Sequence, residues 1–114
     1  MSRPNAVSGP PVRDAAPLFA ALGDETRLRL LVRLSSGGPG SITQLSTKSD
    51  VSRQAITKHL RVLADAGLVR SSRRGRERVW DLEPKRLVDA HDYLERISRQ
   101  WDQALQRLRR FVED

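Results

Sequence analysis

The sequence predicts a mainly helical fold with one small β-hairpin, in the order α-α-α-α-β-β-α, closed by a long C-terminal helix. Three observations predict it. Apolar residues recur every three or four positions in short runs, each bounded by a capping residue or a glycine. A single pair of alternating runs flanks Arg74-Gly75, which marks a hairpin. From Leu87 to Phe111 the helical spacing then persists without a break.

Taken in order, residues 1–13 contain Pro4, Gly9, Pro10 and Pro11 and no apolar periodicity, so they are expected to form a flexible tail. The domain is expected to span 14–114, with structure starting near Asp14. Leu18, Phe19 and Leu22 form one face of a short first helix that ends at Gly23. Asp24 is a good N-cap for a second helix containing Leu28, Leu31 and Leu34, stopped by Ser36-Gly37-Gly38-Pro39-Gly40. Ser41 caps a short third helix through about Lys48, anchored by Ile42 and Leu45. After a turn at 49–51, Ser52 caps a fourth helix that buries Ile56, Leu60 and Leu63 and ends where Gly67 takes the left-handed conformation. Strands at 68–72 and 78–82 follow, with Trp80 and Leu82 on the packed face. Pro84 opens the last helix, to about residue 112, at the one position where a missing N–H costs nothing.

Composition narrows the function. With 114 residues, one domain is expected, and with 38% hydrophobic and 4% aromatic residues its core is modest. There is no cysteine, which excludes disulfides, thiolate metal sites and cysteine nucleophiles. The longest apolar stretch, 15–22, is short and interrupted by Pro17, so no membrane span or signal peptide is expected and the protein reads as soluble and cytoplasmic. The only histidines, His59 and His91, fall on different helices, and Gly37-Gly38-Pro39-Gly40 lacks the lysine of a phosphate loop. An enzyme is not expected.

The net charge of +7 is concentrated. Residues 52–78 hold eight Arg or Lys against Asp65 and Glu77, whereas 83–114 is neutral. A localised basic surface fits a polyanion, most simply nucleic acid. Two helices joined by a tight turn and followed by a hairpin describe a winged helix-turn-helix. The second helix of such a pair fits the major groove and offers its outer side chains to base edges. Here that face carries Ser52, Arg53, Gln54, Thr57, Lys58 and Arg61. Arg53 and Gln54, near the N-terminus, are expected at base edges; Arg61 is expected at the backbone. Arg73, Arg74 and Arg76 at the hairpin tip suit phosphates or a narrow minor groove.

Three ordered motifs carry a family resemblance. Leu22-Gly23-Asp24-Glu25-Thr26-Arg27-Leu28-Arg29-Leu30-Leu31 resembles the opening helices of ArsR-type transcriptional repressors. Val51 to Leu60, continuing through Leu63 to Val69, resembles their recognition helix and its exit; Arg74-Gly75-Arg76 resembles their wing. The resemblance implies a homodimeric repressor of bacterial or archaeal genes, frequently its own, bound to double-stranded DNA and often released by a metal ion or small molecule. It also implies a dimer interface from the first and last helices. The residues expected there are Leu18, Phe19, Leu87, Leu94, Ile97, Trp101, Leu105 and Leu108, and an inverted-repeat operator follows from two-fold symmetry.

No metal or other cofactor is expected. The stretch Thr43-Gln44-Leu45-Ser46, where many relatives of this type place cysteines, holds none. Asp89 and His91 match half of the other zinc pattern that the resemblance implies, and Asp102 supplies only a carboxylate toward the rest. An effector would therefore be a small molecule of unidentified chemistry. The alternative function is a non-specific architectural or protein-interaction module on the same winged scaffold.

Overall fold

The computed structural model describes residues 12–113. Its elements are α1 (Val12–Leu22), α2 (Glu25–Gly37), β1 (Gly40–Ser41), α3 (Ile42–Ser46), α4 (Arg53–Asp65), β2 (Val69–Arg74), β3 (Glu77–Leu82) and α5 (Pro84–Glu113). The first helix begins at Val12, two residues before the expected start. The expected tail otherwise falls on residues 1–11, outside the described part.

Local chemistry accounts for most boundaries. The Asp24 side chain accepts a hydrogen bond from Arg27 N at 3.1 Å and starts α2. Gly38, at φ 74°, ends that helix. Ser41 and Gln44 satisfy each other's backbone N–H groups across the first turn of α3, a complete capping box. That helix stops at Ser46, short of Lys48. Gly67, at φ 79°, closes α4: Leu68 N donates to Leu63 O and Gly67 N to Ala64 O, both at 2.9 Å. This is the paired hydrogen bonding of a Schellman ending, and it sends Leu68 directly into the core.

The hairpin turn is Gly75-Arg76, one residue later than expected, with Arg74 paired to Glu77. Gly75 has φ 64° and Arg76 does not share the positive φ, the pattern of a II′ turn that matches strand twist. The sheet has three strands, not two, in the order β1-β3-β2. Gly40 pairs with Trp80 and Ser41 with Val79. The segment expected only to stop α2 therefore also ties α3 to the wing.

Leu18, Leu34, Ile56, Leu60, Leu63 and Leu68 are fully buried and join helices α1, α2 and α4 to the sheet. In α2 the inward residues are Leu30, Leu31 and Leu34, while Leu28 is 47% exposed. Leu18, expected at a partner surface, lies wholly inside the protomer because its face of α1 is the one that meets the core. Helix α1 also lies on the first half of α5. Phe19 meets Tyr93 with ring centroids 5.6 Å apart, and Arg86 donates to the Asp14 carbonyl at 3.4 Å. Among the described residues no helix is long and apolar enough to cross a membrane.

Candidate nucleic-acid interface

The surface is organised by the rotation of α4. Ser52 caps it, accepting from Ala55 N at 3.1 Å. Burial of Ile56, Leu60 and Leu63 then fixes which way the helix faces. Ser52, Arg53, Gln54, Lys58 and Arg61 are consequently exposed and Thr57 is half-buried. No acidic side chain interrupts this face until Asp65.

The exposed residues are not equally free. Arg53 Nη2 donates to Thr43 Oγ1 at 3.0 Å, drawing its guanidinium toward α3. Thr57 Oγ1 donates back to the Arg53 carbonyl at 2.9 Å, so its lone pairs and methyl are what remain on offer. Gln54 makes no side-chain hydrogen bond among the described residues. Of the two residues expected at base edges, Gln54 is the unengaged one.

At the wing, Arg73, Arg74 and Arg76 are all exposed, as is Arg78. The register sets Arg73 across from Arg78 and Arg74 across from Glu77. Arg78 Nη1 donates to Ser71 Oγ at 2.8 Å. Composition places Arg78 only within the basic segment; its cross-strand partner is a matter of register.

Behind α4 lies a polar knot that spacing did not reveal. Arg27 donates through Nε to the Ala21 carbonyl at the end of α1, and its Nη1 stands 3.2 Å from His59 Nδ1 on α4. The Asp24 carboxylate is 3.7 Å from the same imidazole nitrogen. His59 thus braces α4 against α1 and α2. The hydrogen bond from Arg27 N holds the Asp24 carboxyl below its ordinary value of 3.8; partial burial opposes this, and the neighbouring His59 and Arg27 side chains reinforce it.

Helix α5 presents a different surface. Its stripe Leu94, Trp101, Leu105, Leu108 and Phe111 is exposed, reaching 66% at Trp101 and 81% at Phe111. Leu87 and Ile97 are half-buried, and the only fully buried residue on the helix is Ala90. Asp89 is engaged by Arg86 at 3.4 Å. His91 instead faces Asp92 at 3.4 Å and Glu95 at 3.7 Å. The ligand atoms of these three lie within 4.8 Å of one another. Asp89 and His91 thus each have their own neighbours on α5, Arg86 for the one and Asp92 with Glu95 for the other.

With the geometry in hand, comparison with known proteins is direct. Residues 22–72 match a family described as a helix-turn-helix domain. The chain is 50% identical over 68 residues to an uncharacterised HTH-type transcriptional regulator, YuzN of Bacillus subtilis, covering 54% of this chain and 74% of that one. An ArsR-like transcriptional regulator from Rhodococcus sp. RHA1 superposes with a TM-score of 0.69 at 39% identity, covering 87% of this chain and 92% of the other. The homodimeric winged helix-turn-helix DNA-binding domain of a Mycobacterium bovis protein shares the fold with a TM-score of 0.62 at 21% identity, over 84% and 85% of the two chains. The chain belongs to the ArsR family of winged helix-turn-helix, DNA-binding transcriptional regulators.

Proposed function

We propose that the protein is a homodimeric repressor that reads an inverted-repeat operator, including one upstream of its own gene. The observation that carries this reading is the pairing of two faces in one chain. The outer face of α4 is basic and exposed, and the exposed apolar stripe of α5 requires a cover of matching length. At about 1.5 Å per residue, the 30 residues of α5 span roughly 45 Å. Among the described residues nothing else covers the second half of that length, and a second α5 would. Phe19 at the edge of α1 extends the same surface, as do Leu87, Leu94, Ile97, Trp101, Leu105 and Leu108. Two-fold pairing would set two α4 helices about 34 Å apart, one DNA turn.

In this reading Gln54 contacts base edges, with Ser52, Arg53, Thr57, Lys58 and Arg61 around it, and the wing arginines grip the backbone. Metal ions do not regulate the protein: His91, Asp92 and Glu95 offer one exposed imidazole and two carboxylates from one helix, a poor set for zinc. A small-molecule effector has room in a cleft of about 330 Å³ between α2 and α3, floored by Leu30, Leu45 and Ile56.

Fluorescence anisotropy with DNA from upstream of the gene and a scrambled duplex tests the reading. A preference of about 10³-fold or more is expected, unchanged by added zinc or cadmium. Equal, weak binding to both duplexes would favour the architectural alternative, and a tenfold loss on adding zinc would overturn the metal-independent reading.

A further inference from the structure

The wing carries a like-charge pair set directly across its two strands. Arg73 lies directly across from Arg78 in the β2–β3 register. Successive strand residues point to opposite faces, so this pair shares its face with the next alternate pair, Ser71 and Trp80. Trp80 is buried in the core, which makes this the inner face, the one turned toward the helices. Like charges set directly across antiparallel strands oppose pairing. The outer face of the same hairpin is arranged the other way: Arg74 lies across from Glu77, and Arg70 across from Asp81. Charge is balanced outside and doubled inside.

The inner pair is also pre-arranged. Ser71 holds one guanidinium nitrogen of Arg78 at 2.8 Å, leaving the other donors available. Arg73 has no ion-pair partner among the described residues. Residues directly opposite in an antiparallel ladder have Cα atoms about 4.5–5.5 Å apart. Two guanidinium groups at that spacing can close on one anion, and each presents the planar donor fork that suits phosphate. An anion between them turns the repulsion into attraction. The wing and α4 belong to one DNA-binding unit, so the anion available on that side is a backbone phosphate.

We propose that Arg73 and Arg78 together clamp one DNA phosphate on the inner face of the wing. This rests on the DNA-binding reading above and adds Arg78 to its wing.

The test uses the full chain and a fluorescein-labelled duplex of random sequence, because a phosphate contact does not depend on sequence. Affinity is followed by anisotropy between roughly 50 and 200 mM NaCl. Arg78→Ala is expected to weaken binding about fivefold and to lower the slope of log affinity against log salt by about 0.9, the loss of one phosphate contact. Arg73→Ala should do the same, and the double variant should lose little more slope than either single one. Arg78→Lys should retain the slope. Arg78→Glu supplies a readout that a structural role would not give: it replaces a repulsive pair with an attractive one, so the melting temperature should hold or rise while DNA binding falls. An unchanged slope in Arg78→Ala, a fully additive loss of slope in the double variant, or a lower melting temperature in Arg78→Glu would each overturn the clamp. If wild-type protein bound no duplex, the DNA-binding reading itself would fall. Wild-type binding with an unaffected Arg78→Ala removes only the clamp.

Discussion

Helices α4 and α5 are built on the same principle and end in opposite situations. Both repeat apolar residues at three and four positions, and both place charge on the remaining face. In α4 the apolar residues Ile56, Leu60 and Leu63 are buried, and the polar face is left to meet a ligand. In α5 the polar face is ordinary, and the apolar stripe from Leu94 to Phe111 is what stands exposed. The difference lies in position, not pattern: α4 is surrounded by α1, α2, α3 and β2, whereas α5 is covered by α1 over its first half. Amphipathic spacing states that a face will be covered; it does not state by what.

The largest expected effect separates the two helices directly. Leu60→Ala empties a fully buried position and should lower folding stability by about 3 kcal/mol, read by denaturant unfolding. Trp101→Ala removes more apolar surface, yet should leave the intrinsic stability of the protomer nearly untouched. Its loss, about 2 kcal/mol, should appear in the dimer dissociation constant measured by sedimentation. If Trp101→Ala destabilised the protomer as Leu60→Ala does, at concentrations where no dimer forms, the contrast would fail.

A smaller effect of opposite sign is expected between the helices of the reading pair. Lys48 has φ 63°, the single non-glycine residue at positive φ among those described. Left-handed backbone costs a non-glycine residue roughly 1–2 kcal/mol, part of which glycine loses again through its freer unfolded chain. Lys48→Gly should therefore raise stability by roughly 0.5–1 kcal/mol, visible as a higher melting temperature.

The smallest expected effect is a pH dependence at the start of α2. Asp24 titrates below its ordinary value of 3.8 in the folded chain. Its contribution to stability is therefore present above that value and is lost as pH falls through it toward the lower folded value. Acid unfolding of Asp24→Asn should be shallower across that window than that of the wild type, and coincident curves would remove the cap from the acid transition.

Local chemistry was the legible part of the fold. Asp24, Ser41, Ser52 and Gly67 mark helix ends because a cap is a contact between neighbours a few residues apart, and each was found where its residue type pointed. Gly40 and Ser41 as a strand were not legible, since a two-residue strand has no period and exists only through its pairing with Val79 and Trp80. The buried side of α2 was not legible for a similar reason. Leu28 and Leu30 are equally apolar, and only the position of α4 and the sheet decides that Leu30 is buried and Leu28 is not.

The candidate site divides along the same line. The residue types on α4 and the wing could be read directly, because a basic face free of acids is a property of composition and helical spacing. That Arg53 is tied to Thr43, that His59 is held between Arg27 and Asp24, and that Arg73 faces Arg78 depend on residues up to 35 positions apart meeting.

By itself, then, the sequence determined where helices begin and end, where the charge gathers, and that α5 carries an apolar stripe. These follow from capping, periodicity and charge, all of which act over a few residues. The tertiary structure decided that Leu18 belongs to the core, that Gly40-Ser41 joins the sheet, and which arginines of the wing stand across from a carboxylate and which from each other. Those outcomes are set by strand register and by which helix faces meet, and register is a property of two segments together.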